Sequence, residues 1–97
     1  MKFKLVVTKG IDDLVERKVI SDYELMSHLI KFINNDWGVL SDEDKELQDE
    51  LLKNPNSKYN ERFMGGYMIN ENKIWYFREY DYSIDSLLIT ILLPEEY

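Results

Sequence analysis

His28 is the one histidine of the chain, and it and the carboxylates are the residues able to move a proton near neutral pH. His28 falls three residues after Leu25 and four before Phe32, beside the apolar stripe of a helix, where a packed imidazole is the ordinary outcome. A hydrolase would need Glu79 or Asp81 brought against it, and both lie in a distant segment. Asp42 and Asp44 have the opening spacing of a calcium loop, but the sixth-position glycine is missing and a helical pattern follows, so no calcium site is expected. Glu79, Asp81 and Asp85 around a turn read as solvated carboxylates. With no cysteine there is no thiol nucleophile, thiolate metal site or disulfide. No glycine-rich phosphate loop occurs either. The expectation is a protein without catalytic residues, metal or cofactor.

Two groups of residues have the chemistry of binding. Between Asp36 and Glu50 stand seven acids (Asp36, Asp42, Glu43, Asp44, Glu46, Asp49 and Glu50) against one base, Lys45. Carboxylates along one helix approximate a row of phosphates and steer a basic partner at long range. Asp42, Glu43 and Asp44 also have a local reason, since acids in a first helical turn face unpaired backbone N–H groups. The second group is Tyr76, Arg78 and Tyr80, with Tyr82. Strand alternation puts Trp75, Phe77 and Glu79 on one face and Tyr76, Arg78 and Tyr80 on the other, expected to be an exposed aromatic patch of the kind that seats a protein partner.

These residues must be positioned by a small fold. Ninety-seven residues with 44% hydrophobic and 32% charged content make one domain, residues 1–97. A net charge of −7 argues against direct nucleic-acid or anionic-membrane binding. The basic and apolar start ends at Thr8-Lys9-Gly10, too short for a signal peptide or a membrane span, so a cytoplasmic location is expected.

Lys2 to Thr8 reads as a strand near an edge, Ile11 to Lys18 as a two-turn helix, and Ser21 with Glu24 as the capping box of a longer helix with Tyr23, Met26, Leu29, Ile30 and Ile33 as its stripe. Ser41 caps an acidic helix whose narrow apolar seam is Leu47, Leu51 and Leu52. Lys53 to Asn60 reads as a polar loop. Phe63 to Ile69 and Lys73 to Arg78 form a hairpin around Asn70-Glu71-Asn72, with Gly65 and Gly66 marking a bulge or a close backbone approach. Leu87 to Leu93 reads as a buried central strand ended by Pro94. The expected class is α+β: an antiparallel sheet of about four strands, in the order β-α-α-α-β-β-β, with two or three helices on one face.

Several of these segments are distinctive in combination. Val6-Val7-Thr8-Lys9-Gly10, Asp36-Trp37-Gly38 before an acidic helix, Ile74-Trp75 opening a strand, Glu79 and Asp81, and the terminal Leu92-Leu93-Pro94-Glu95-Glu96-Tyr97 together resemble a family of short proteins of bacterial plasmids, integrative elements and phages. Its marks are a DWG turn and a terminal LLPEEY, and the resemblance covers nearly the whole chain. This chain departs from it with Arg78 before Glu79 and Tyr82 after Asp81, where the family has Thr and Arg, and with a longer last turn. Family members are often labelled restriction–modification subunits, yet this chain lacks any methyl-donor or nuclease motif. The mobile-element setting implied by the resemblance points instead to counter-defence.

Charge, size and resemblance lead to one functional expectation: a small acidic inhibitor, such as an anti-CRISPR or anti-restriction protein, that binds a larger basic nucleic-acid-handling effector. It would act through Asp36, Asp42, Glu43, Glu46, Asp49 and Glu50, or through Tyr76, Arg78, Tyr80 and Tyr82. The alternatives are an antitoxin-like or regulatory partner of a basic protein and, behind it, a small hydrolase. A homodimer through the sheet is compatible with each.

Overall fold

The structure is a computed structural model and describes residues 2–97. Strand β1 (Phe3–Val7) leads into helices α1 (Lys9–Glu16), α2 (Asp22–Ile33), α3 (Asp42–Leu52) and the short α4 (Ser57–Asn60), followed by β2 (Phe63–Ile69), β3 (Asn72–Asp81), β4 (Ser86–Leu92) and a 3-10 turn over Pro94–Glu96. The α+β class is as expected, and α4 is an addition inside the segment read as a loop.

The last three strands form a meander because short turns join them. Asn70 and Glu71 make a two-residue turn with φ of 49° and 68°, the mirror-image geometry whose twist suits a hairpin, and Ile69 then pairs with Asn72. Glu71 occupies a position that glycine prefers. Glu71→Gly is therefore expected to stabilise the protein by about 0.5–1 kcal/mol, read by chemical denaturation. Gly65 and Gly66 produce no bulge, since the β2–β3 register runs unbroken from Phe63 opposite Arg78 to Ile69 opposite Asn72.

The sheet order is β1-β4-β3-β2, with β4 inside as expected, but β1 runs parallel to β4, so the sheet is mixed and not antiparallel throughout. Parallel pairing has a structural consequence. Val7 lies opposite Ile91, so the segments leaving β1 and β4 emerge at the same end of the sheet. There the Glu96 carboxylate accepts from the Thr8 hydroxyl, from the Gly10 N–H at 2.9 Å and from the Leu93 N–H at 2.9 Å. Thr8 does not cap α1 with its own side chain, and Glu96 does so from the far end of the chain. An antiparallel β1 would have put the two segments at opposite ends.

These hydrogen bonds, the Thr8 hydroxyl foremost, hold the Glu96 carboxyl below the usual carboxylate range. A group that titrates lower when folded contributes its full stability at neutral pH and loses it as pH falls from the ordinary carboxylate value through the lowered folded one. Glu96→Gln is expected to cost about 1 kcal/mol at pH 7, and the difference from wild type to be smaller at about pH 4. Urea midpoints at both pH values measure it.

The helices cover the sheet face made by Ile74, Tyr76, Arg78, Ile89 and Ile91. The core joins Ile11 and Leu14 of α1, Leu25, Leu29 and Phe32 of α2, and Phe63, Tyr67 and Ile69 of β2 to that face. The α2 capping box is formed as expected, with the Ser21 hydroxyl accepting from Glu24 N–H and the Glu24 carboxylate accepting from Ser21 N–H, both at 3.1 Å. The buried stripe of α2 is nevertheless Leu25, Leu29 and Phe32; of the expected stripe, Tyr23, Met26 and Ile30 are exposed, Ile33 is half-buried, and only Leu29 is fully buried.

The opposite sheet face is covered by single side chains. Tyr97 stacks on Phe77 at 5.2 Å, and the Arg62 guanidinium lies 4.0 Å from the same ring while pairing with Glu79 at 3.4 Å.

Candidate functional site

Helix α3 begins where the Asp36-Trp37-Gly38 turn delivers it. The Asp36 carboxylate accepts from Gly38 N–H at 3.0 Å, and its carbonyl accepts from the Tyr67 hydroxyl. Trp37 is buried, stacked on Phe63 at 5.9 Å, and its indole N–H donates to Asp49 at 2.9 Å. Gly38 and Gly66 then meet backbone to backbone, with Val39 N–H donating to Gly66 C=O at 2.7 Å and Gly66 N–H to Trp37 C=O at 3.1 Å. The close approach expected at the paired glycines is this contact.

From there Ser41 caps α3 by accepting from Asp44 N–H at 3.1 Å. The inward side of α3 is Gln48, with Leu51 and Leu52 half-buried, and not the expected seam through Leu47, which is exposed. Gln48 holds α3 to the sheet, a role that no local pattern in the sequence signals. Its side-chain oxygen accepts from Met64 N–H at 2.9 Å and so closes part of the open edge of β2.

The acidic residues therefore divide. Asp36 and Asp49 are held by the turn, and Glu50 pairs with Lys53 at 2.8 Å. Asp42, Glu43, Asp44 and Glu46 are exposed and take part in none of the three ion pairs among the described residues, Asp13–Arg17, Glu50–Lys53 and Glu79–Arg62. Glu46 and Glu50 stand beyond the first turn, and no base lies in the last turn, so α3 carries negative charge toward the end where the helix dipole disfavours it.

The second expected site is corrected by burial. Tyr76, Arg78 and Tyr80 do share a face, but it is the face that the helices cover. Tyr76 is fully buried and its hydroxyl donates to Leu25 C=O at 2.7 Å, and burial raises its pKa. Arg78 is 7% exposed. Its guanidinium donates to Phe32 C=O at 3.3 Å and to the Asn35 side-chain oxygen at 3.2 Å, and lies 4.6 Å from the Phe63 ring and 5.2 Å from the Phe32 ring. Aromatic walls and two neutral acceptors offset part of the cost of keeping the cation inside. Burial lowers its pKa from the ordinary arginine value.

Tyr80 and Tyr82 do stand near the surface; the Tyr80 ring meets that of Tyr59 of α4 edge-on at 4.8 Å and that of Tyr82 edge-on at 4.9 Å. The Tyr80 hydroxyl donates to Asp85, a hydrogen bond that pushes its pKa up to about 12. Of the four aromatic-face residues, Tyr82 alone is fully open, at 70% exposure.

The proton-moving residues stay apart. His28 Nδ1 lies 2.8 Å from the Glu24 carbonyl and its ring packs edge-on against Tyr67 at 5.3 Å, on the helical side of the sheet. Glu79 belongs to the other face with Arg62, and Asp81 accepts from the Ser83 N–H and hydroxyl. Among the described residues no three such groups gather as they would around a metal ion, and no helix is long and apolar enough to cross a membrane.

Fold and surface define a small α+β domain with an acidic, unpaired helix face. Set against protein-family models, curated sequences and solved structures, the chain has no match in any of the three. The resemblance to mobile-element proteins rests on the sequence segments that carry it and on nothing further.

Proposed function

We propose that this protein acts by binding another protein, docking the acidic face of α3 onto a basic surface of the kind that otherwise holds phosphates. The observation that carries the reading is the row Asp42, Glu43 and Glu46, exposed, without ion pairs, and continued past the turn where helix capping alone would explain it. The finer form is an inhibitor of a nucleic-acid-handling effector, of CRISPR or restriction type, in keeping with the mobile-element resemblance. It requires no reaction. Affinity capture from cells with active defence systems tests it: wild type is expected to recover a basic nucleic-acid-binding protein that the Asp42→Asn, Glu43→Gln, Glu46→Gln variant does not. Equal recovery by both would remove α3 from the reading.

The exposed stripe of α2 favours a second reading, a regulatory or antitoxin-like partner laid along that helix. Tyr23, Met26 and Ile30 are 82%, 45% and 59% exposed at helical spacing. Met26→Lys with Ile30→Lys would abolish capture in this reading and leave it unchanged in the first.

A further inference from the structure

Arg78 is a buried cation without an anion. It takes part in none of the ion pairs among the described residues, and its two hydrogen-bond acceptors, Phe32 C=O and Asn35, are neutral. Desolvating a guanidinium is costly unless a negative charge meets it, and its five N–H donors exceed the two acceptors found. Arg78 also lines a cavity of about 590 Å³, within the range of roughly 300–1,000 Å³ typical of small-ligand sites.

The cavity is amphipathic. Ile33, Leu52, Phe63 and Leu87 give it apolar walls contributed by α2, α3, β2 and β4, while Lys58 adds a second positive charge. Lys2 lines it as well. Two acids reach the wall, Glu61, which accepts from the Asn54 amide at 3.3 Å, and Asp85, which accepts from the Tyr80 hydroxyl; both keep their charge, so they offset Lys2 and Lys58 and leave Arg78 as the excess cation of the lining. We infer that this cavity binds a small organic carboxylate, its head taken by the free N–H groups of Arg78 and its apolar body lying between Ile33, Leu52 and Leu87. A planar guanidinium matches a carboxylate better than it matches a point charge, and the apolar walls exclude a fully hydrated inorganic ion. This site is independent of the acidic face of α3.

The test is amide NMR titration of the whole protein with butyrate, octanoate and phenylbutyrate, against butanol, octanol and phenylbutanol as uncharged matches and inorganic phosphate as a bare anion. The expected result is saturable shifts at Ile33, Asn35 and Ser86 with at least one carboxylate, its matching alcohol about tenfold weaker or more, and no such shifts with phosphate. Arg78→Met, which keeps the stem's packing, should remove the preference for carboxylate over alcohol. If that variant fails to fold, Leu52→Trp decides, because it fills the cavity while keeping Arg78 in the chain and should abolish binding. No saturable binding by any carboxylate, equal binding by the alcohols, or unchanged binding in Leu52→Trp would each overturn the site.

Discussion

Replacing Gly38 by alanine is expected to cost about 3–5 kcal/mol, a large part of the roughly 5–10 kcal/mol that holds a domain of this size together. Gly38 has φ of 73°, where an L side chain is strained, and a β-carbon there would stand 1.9 Å from the Gly66 carbonyl oxygen and 2.7 Å from the Tyr67 ring. The obstacle is backbone, so rotation of a side chain does not relieve it. The Trp37–Gly66 and Val39–Gly66 hydrogen bonds would part, taking with them the seat of Trp37 between Phe63 and Phe32. Gly10→Ala is the control. The atoms nearest its β-carbon are those of the Glu96 carboxylate at 2.8 Å, the far end of a flexible side chain, and alanine favours a helix, so its cost should stay near that of Glu96→Gln. Urea denaturation of both variants checks the ranking, and equal stabilities would contradict the backbone contact.

The most distinctive parts of the sequence thus turn out to be joints. Asp36-Trp37-Gly38 fastens the entry of α3 to β2, and Thr8-Lys9-Gly10 meets Glu96 of the terminal segment through the parallel pairing of β1 and β4. What was legible in the sequence was local: the Ser21–Glu24 box, the Asn70–Glu71 turn, the Ser41 cap and the apolar run of β4 each depend on residues a few positions apart. Facing was less legible. In α2 two sets of apolar residues satisfy helical spacing, and only the sheet decides that Leu25, Leu29 and Phe32 go inward while Tyr23, Met26 and Ile30 stay out.

The alternation of β3 was readable, but which side the helices cover was not, because that depends on connections made far away. Arg78 is the sharpest case. Nothing near it in sequence announces burial; its surroundings come from Phe32 and Asn35 at the end of α2, Trp37 in the following turn, and Phe63 on the neighbouring strand. Parallel β1 and the cap by Glu96 are likewise long-range, with no local pattern to signal them. Of the candidate site, charge was the legible part. The sorting of the acids into those held at the turn (Asp36, Asp49), one paired with Lys53 (Glu50) and those left free (Asp42, Glu43, Asp44, Glu46) needed the fold.

That sorting sets the second large effect. Neutralising Asp42, Glu43 and Glu46 moves the formal net charge from −7 to −4 while leaving untouched the Asp49 that holds Trp37 and the Glu50 that pairs with Lys53. Three contacts of about 0.5–1 kcal/mol each, if they face a basic surface, convert to a loss of roughly ten- to a hundredfold in affinity. Removing acids from the first turn also costs α3 a few tenths of a kcal/mol each, so thermal melts must accompany the binding data to show that the domain remains folded. The loss should lie mainly in the association rate, where long-range steering acts.

The measurement that bears most directly on the acidic-face account is the affinity of the captured basic partner for wild type and for the Asp42→Asn, Glu43→Gln, Glu46→Gln variant across a series of salt concentrations. The account predicts a wild-type affinity that falls steeply with salt and a folded variant that binds at least tenfold more weakly with a flatter salt dependence. A folded variant with wild-type affinity and the same salt dependence would contradict it.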